Sequence, residues 1–99
     1  MSDAINPSHY RLDGKKECIE EIKDLIGVNA TCYFCIGNAY KYMYRAGNKD
    51  GNSYEQDINK CKWYIAWIAK QIKNDEIDVI DDENLLKSYA TIIEKLMEL

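Results

Sequence analysis

The sequence predicts an all-α protein, a small antiparallel bundle of about four helices behind an irregular N-terminal segment. Two observations predict it. Apolar residues recur at three- and four-residue intervals in four separate stretches. The single proline, Pro7, lies outside all of them, and Gly27, Gly47 and Gly51 fall between them. Ninety-nine residues make one domain, 1–99, which can bury roughly 60–65% of its unfolded surface. A hydrophobic content of 46%, with 11% aromatic residues, places the chain among folded rather than disordered sequences.

Taken in order, residues 1–14 form a turn or extended entry, because Asn6-Pro7-Ser8 disfavours helix. Residues 15–74 form the core. The first helix runs Lys16–Ile26, with Cys18, Ile19, Ile22, Leu25 and Ile26 as its apolar face and Gly27 just past its end. The second runs from Asn29 or Ala30 to Ala46, and Gly47 opens the polar loop GNKDGNS. Ser53 is an N-cap candidate for the third, Tyr54–Lys73, whose apolar face gathers Ile58, Cys61, Ile65, Ile68 and Ile72. Residues 75–99 hold an acidic connector and a C-terminal helix from Asp82 to Met97, capped by Asp81 or Asp82. Within the connector, EIDVI alternates like a strand but is too short to establish one.

A net charge of −4 and a pI near 4.9 argue against general binding to duplex nucleic acid. They leave room for a small anionic ligand, which two or three local cations suffice to hold. No run approaches a membrane span, and MSDAINPSHY has no apolar signal core, so a cytoplasmic protein is expected. Cys18, Cys32, Cys35 and Cys61 read as buried free thiols. Cys32 and Cys35 sit inside a helix rather than a knuckle turn, and His9 is the lone histidine, so no metal site is expected.

The segment Cys35–Lys49 carries the densest chemistry. With Asn38 at zero on a helical wheel, Thr31 falls near about +20°, Arg45 near about −20° and Lys41 near about −60°. Phe34 and Tyr42 flank that arc, and apolar groups fill most of the remainder. The expectation is a largely buried helix with one polar stripe. Such a stripe needs a partner carboxylate or a bound anion. Asn38, Lys41 and Arg45 extend over two helical turns, about 10 Å, a length that suits phosphates or the two ends of a mononucleotide. An internal pair with Asp57 or a carboxylate of the first helix would serve equally.

On the third helix, Asp57, Lys60 and Tyr64 form an edge. Asp57 could orient a cation or hold magnesium, Lys60 adds charge, and Tyr64 could stack on a base. Trp63 and Trp67 read as packing residues. His9, fixed beside the proline turn, could contact a phosphate or donate a proton. A Walker-type phosphate loop is missing. Glu20, Glu21 and Asp24, with Glu55 or Asp57, could chelate magnesium, a pattern loosely similar to helical nucleoside-triphosphate pyrophosphatases. A solvated acidic face explains them more simply.

Three blocks in order, NPSHY, FCIGNAYKYMYRAGNKD and DINKCKWYI, resemble a family of short, mostly phage-encoded, nucleotide kinase-like proteins of otherwise undefined function. The resemblance covers about 6–68. Its characteristic positions correspond here to His9, Tyr10, Asn38, Lys41, Tyr42, Arg45, Lys49, Asp57, Lys60 and Tyr64. It implies a nucleotide ligand, with Lys41, Arg45 and Asp57 in catalytic roles if the protein is a kinase of (deoxy)nucleoside monophosphates, and ATP and magnesium as its requirements. The alternative is a phage protein that sequesters a nucleotide, such as a host defence signal, without turning it over. A homo-oligomer with tyrosines at its interface would suit that role. A third reading is a helical protein-binding module with no ligand.

Overall fold

The structure, a computed structural model, describes residues 16–48 and 53–99. They form five helices: α1 (Cys18–Ile26), α2 (Val28–Arg45), α3 (Tyr54–Lys73), the single turn α4 (Ile77–Ile80) and α5 (Glu83–Met97). Among the described residues, no helix is long and apolar enough to cross a membrane.

The boundaries follow from local chemistry. Gly27 takes φ 93°, a left-handed conformation open to glycine, and its N–H bonds back to Lys23 to close α1. Thr31 Oγ1 then donates to the Gly27 carbonyl at 2.8 Å, which satisfies a buried hydroxyl within its own helix. Ser53 caps α3 in a reciprocal capping box: its Oγ accepts from the Gln56 N–H, and Gln56 Oε1 accepts from the Ser53 N–H. Asp82 caps α5 by accepting from the Leu85 N–H at 3.0 Å. Asn29 Nδ2 also donates to Asp82, and these bonds hold its carboxyl below the ordinary range.

The EIDVI stretch turns rather than extends. Asp75 adopts φ 57° at the end of α3, and the chain doubles back through α4, which seats Val79 fully inside the core. Aspartate tolerates that backbone region better than most residues.

Two connected clusters make the core. In one, Cys32 and Cys35 of α2 meet Trp67 and Ile68 of α3, with Ile19, Val79 and Leu85. In the other, Ala39 and Met43 meet Cys61, Ile65 and Ile92. Early α2 therefore packs on late α3, and late α2 on early α3, so the two helices are antiparallel. Leu85 and Ile92 follow the same order as α2, which sets α5 parallel to α2.

Three expectations need correction. Helix α2 is not largely buried. Its buried arc is Thr31, Cys32, Cys35, Ala39 and Met43, while Tyr40 and Tyr44 are 47% and 73% exposed and Phe34 is also exposed. A small bundle supplies neighbours to only one side of each helix, and there is not enough polar surface to cover the rest. The α1 face is likewise only partly used, since Ile19 is buried but Leu25 is 82% exposed. Cys18 is exposed, whereas Cys32, Cys35 and Cys61 are buried free thiols. Burial pushes those three up to about 11, 12 and 11.

Candidate functional site

Antiparallel packing of α2 on α3 carries the polar edge of each helix to a common rim. Ala39 and Met43 interlock with Cys61 and Ile65 behind it. Asn38, Lys41, Tyr42 and Arg45 come from α2; Lys60 and Tyr64 come from α3. Tyr42 is the centre of the arrangement. Its ring stacks on Tyr64 with centroids 6.0 Å apart and 12° between the planes. Lys41 Nζ lies 4.6 Å from the Tyr42 centroid, Lys60 Nζ 5.3 Å, and the Arg45 guanidinium carbon 5.6 Å. All three fall within cation–π range. Neither lysine is in a salt bridge with any described residue.

Three carboxylates that might have balanced Lys41 do not: Glu20 and Asp24 are engaged elsewhere, and Asp57 is buried. Glu20 accepts from Trp67 Nε1–H at 3.0 Å and lies 3.3 Å from Lys23 Nζ. Burial opposes its charge, but those two partners outweigh it and hold the carboxyl below its ordinary value. Asp24 pairs with Lys16 at 2.6 Å. Asp57 is fully buried, and neither of its carboxylate oxygens accepts a hydrogen bond. Asn38 Nδ2 donates one of its two N–H groups to the Phe34 carbonyl of its own helix at 2.9 Å.

Five residues singled out in the sequence therefore meet around one ring: Lys41, Tyr42, Arg45, Lys60 and Tyr64. Asn38 is tied to backbone, and Asp57 is enclosed beside the rim. His9, Tyr10 and Lys49, like the Asn6-Pro7-Ser8 entry, lie outside the described residues.

Beside the rim, Tyr64 also lines a cleft of about 180 Å³ between α1 and the α2–α3 pair. Phe34 and Trp63 are its other aromatic walls. Each stands nearly perpendicular to Tyr64, at 6.3 Å and 82°, and at 5.1 Å and 87°. Sequence reasoning missed this cleft. Trp63 reads as packing, and nothing in the spacing shows that α1 would close against that ring.

The described residues do not form a site for a protein-held magnesium ion. Among the described residues, no three His, Cys, Asp or Glu side chains gather where they could hold a metal. Asp57 is sealed from the hydrated ion it would have to meet.

Comparison with known proteins bears on this rim. A family described as a protein of unknown function (DUF3310) matches residues 5–66. This chain belongs to that family. The matched span includes every residue gathered around Tyr42. Among curated relatives, the gene 1.7 protein of Enterobacteria phage T3 is 38% identical over 64 residues, covering 64% of the chain and 39% of the relative. The nucleotide kinase gp1.7 of Escherichia phage T7 is 41% identical over 71 residues, covering 71% of the chain and 36% of the relative. The chain thus spans less than two fifths of the length of either protein. No solved structure matches it.

Proposed function

We propose that this chain is a phage nucleotide-binding protein of the nucleotide-kinase type, with the ligand's phosphates held by Lys41, Lys60 and Arg45 at the Tyr42 rim. One observation carries the reading: three cations converge on a single tyrosine in a chain of net charge −4. Two of them, Lys41 and Lys60, form no salt bridge with a described residue, and gathering like charges is unfavourable unless an anion joins them. Two lysines and a guanidinium offer a phosphate chain both point charge and forked hydrogen bonding. The name of the phage T7 relative supports a nucleotide as the anion.

As a kinase, the protein would transfer the γ-phosphoryl group of ATP to a (deoxy)nucleoside monophosphate, giving ADP and the nucleoside diphosphate. Lys41, Lys60 and Arg45 would stabilise charge on the transferring group. Asp57, enclosed and unbonded, would act on the cations electrostatically rather than as a metal ligand.

That same burial of Asp57 favours a second reading, sequestration of a nucleotide without turnover, because the described rim presents no carboxylate to activate an acceptor. Tyr33, Tyr40 and Tyr44, exposed along α2, would then form the interface of a homo-oligomer in the cytoplasm of the infected cell, countering host nucleotide signalling.

Calorimetric titration with nucleotides, paired with a product assay on ATP, magnesium and each deoxynucleoside monophosphate, tests both readings. Wild-type protein is expected to bind, and Lys41→Ala or Lys60→Ala to weaken binding by about 1.5 kcal/mol, roughly tenfold. Diphosphate product supports the kinase; tight binding with no product supports sequestration. Equal affinity in wild type and both variants would overturn the phosphate rim.

A further inference from the structure

The structure assigns the cleft walled by Phe34, Trp63 and Tyr64 as the nucleobase site, so that a nucleotide spans from this cleft to the cations around Tyr42. This rests on the phosphate reading of the rim and adds to it the other end of the ligand. Three observations converge. At about 180 Å³ the cleft is smaller than the roughly 300–1,000 Å³ of sites that enclose a whole drug-sized ligand, and suits one ring system. Its walls are mostly apolar, three aromatic rings with Ile19 and Ile22, and Glu17 and Cys18 add polar groups to the lining. Aromatic side chains stack on any base through its π-face.

The decisive feature is continuity. Tyr64 belongs to both places: it lines the cleft and stacks on Tyr42, the ring that the three cations surround. A ligand bridging them needs a flat apolar end for the cleft and an anionic end for the cations, joined by a compact linker that passes the Tyr42–Tyr64 stack, whose centroids are 6.0 Å apart. A nucleoside phosphate has that form. An apolar molecule alone would leave the cations unused, and inorganic phosphate alone would leave the cleft empty.

Phe34 makes a suitable probe because it is exposed on α2 and absent from both core clusters. Cys18 supplies a second probe that needs no mutation. It lines the cleft and is the exposed thiol, whereas the other three are buried and held protonated.

The experiment compares a deoxynucleoside 5′-monophosphate with 2-deoxyribose 5-phosphate, which keeps the phosphate and lacks the base. Phe34→Ala is expected to weaken the nucleotide about tenfold or more and to leave the sugar phosphate unchanged. Lys41→Ala should weaken both. In wild-type protein, the nucleotide should slow modification of Cys18 by a thiol reagent, and the sugar phosphate should not. If Phe34→Ala, folded by circular dichroism, binds the nucleotide as wild type does and Cys18 reacts at its free rate, the base site is overturned while the Lys41 effect keeps the phosphate rim. If Lys41→Ala changes neither ligand, the phosphate rim itself fails, whatever Phe34 does. Protection of Cys18 by an apolar dye but not by the nucleotide would also overturn the assignment.

Discussion

At the scale of single residues, pairing decides which ionisable groups are structural and which are left for a ligand. Glu20 joins α1 to the core through Trp67 Nε1 and neutralises Lys23. Its folded carboxyl titrates below the unfolded value near 4.5. The stabilisation from these bonds is therefore fully present above that value and is lost as the pH falls through the lower, folded one. In urea unfolding at a series of pH values, wild-type stability should fall by about 1 kcal/mol across this acid window. Glu20→Gln should start lower near neutrality and show a flatter acid limb. An unchanged acid limb would remove Glu20 from this role. Lys41 and Lys60 contrast with Lys23: they belong to the same rim, have no carboxylate partner among the described residues, and converge on a ring.

At the scale of elements, helix ends were legible because caps are local chemistry. The sequence reading of Tyr54–Lys73 for the third helix agrees with α3, and the box between Ser53 and Gln56 explains where it starts. Ser53→Ala removes an acceptor from the first turn and should lower stability by about 1 kcal/mol in denaturant unfolding, with Ser53→Gly costing less. Helix faces were harder to read. The wheel correctly groups Lys41 and Arg45, yet it places them inside a buried surface. They sit instead at the edge of an arc centred between Cys35 and Ala39. Side-chain polarity identifies a stripe; it does not say which neighbouring helix lies against it.

For the molecule as a whole, stability rests on α2 and α3, and α5 completes the second cluster through Ile92. Ile68 is fully buried where α3 faces Cys32 and Cys35. Ile68→Ala should cost about 2–5 kcal/mol of unfolding free energy. The same substitution at the exposed Leu25 should cost far less. Because the rim is built from two packed helices, its geometry depends on that core. A variant that loosens the α2–α3 contact should weaken ligand binding even though it touches no cation.

Sequence alone determined the all-helical class and, to within about two residues, the ends of the four longer helices, and it singled out the cationic and aromatic residues around Tyr42 among its candidates, because capping, periodicity and charge are properties of short stretches. It could not place Asp57, which periodicity sets on an edge and packing encloses completely. It could not foresee the turn at Val79 or the cleft beneath α1, since both need segments distant in sequence to arrive together. Only the tertiary structure decided that Tyr64 belongs to two surfaces at once. The physical reason is that a helix fixes the spacing of its own side chains, whereas the residues opposite them are chosen by how whole helices pack.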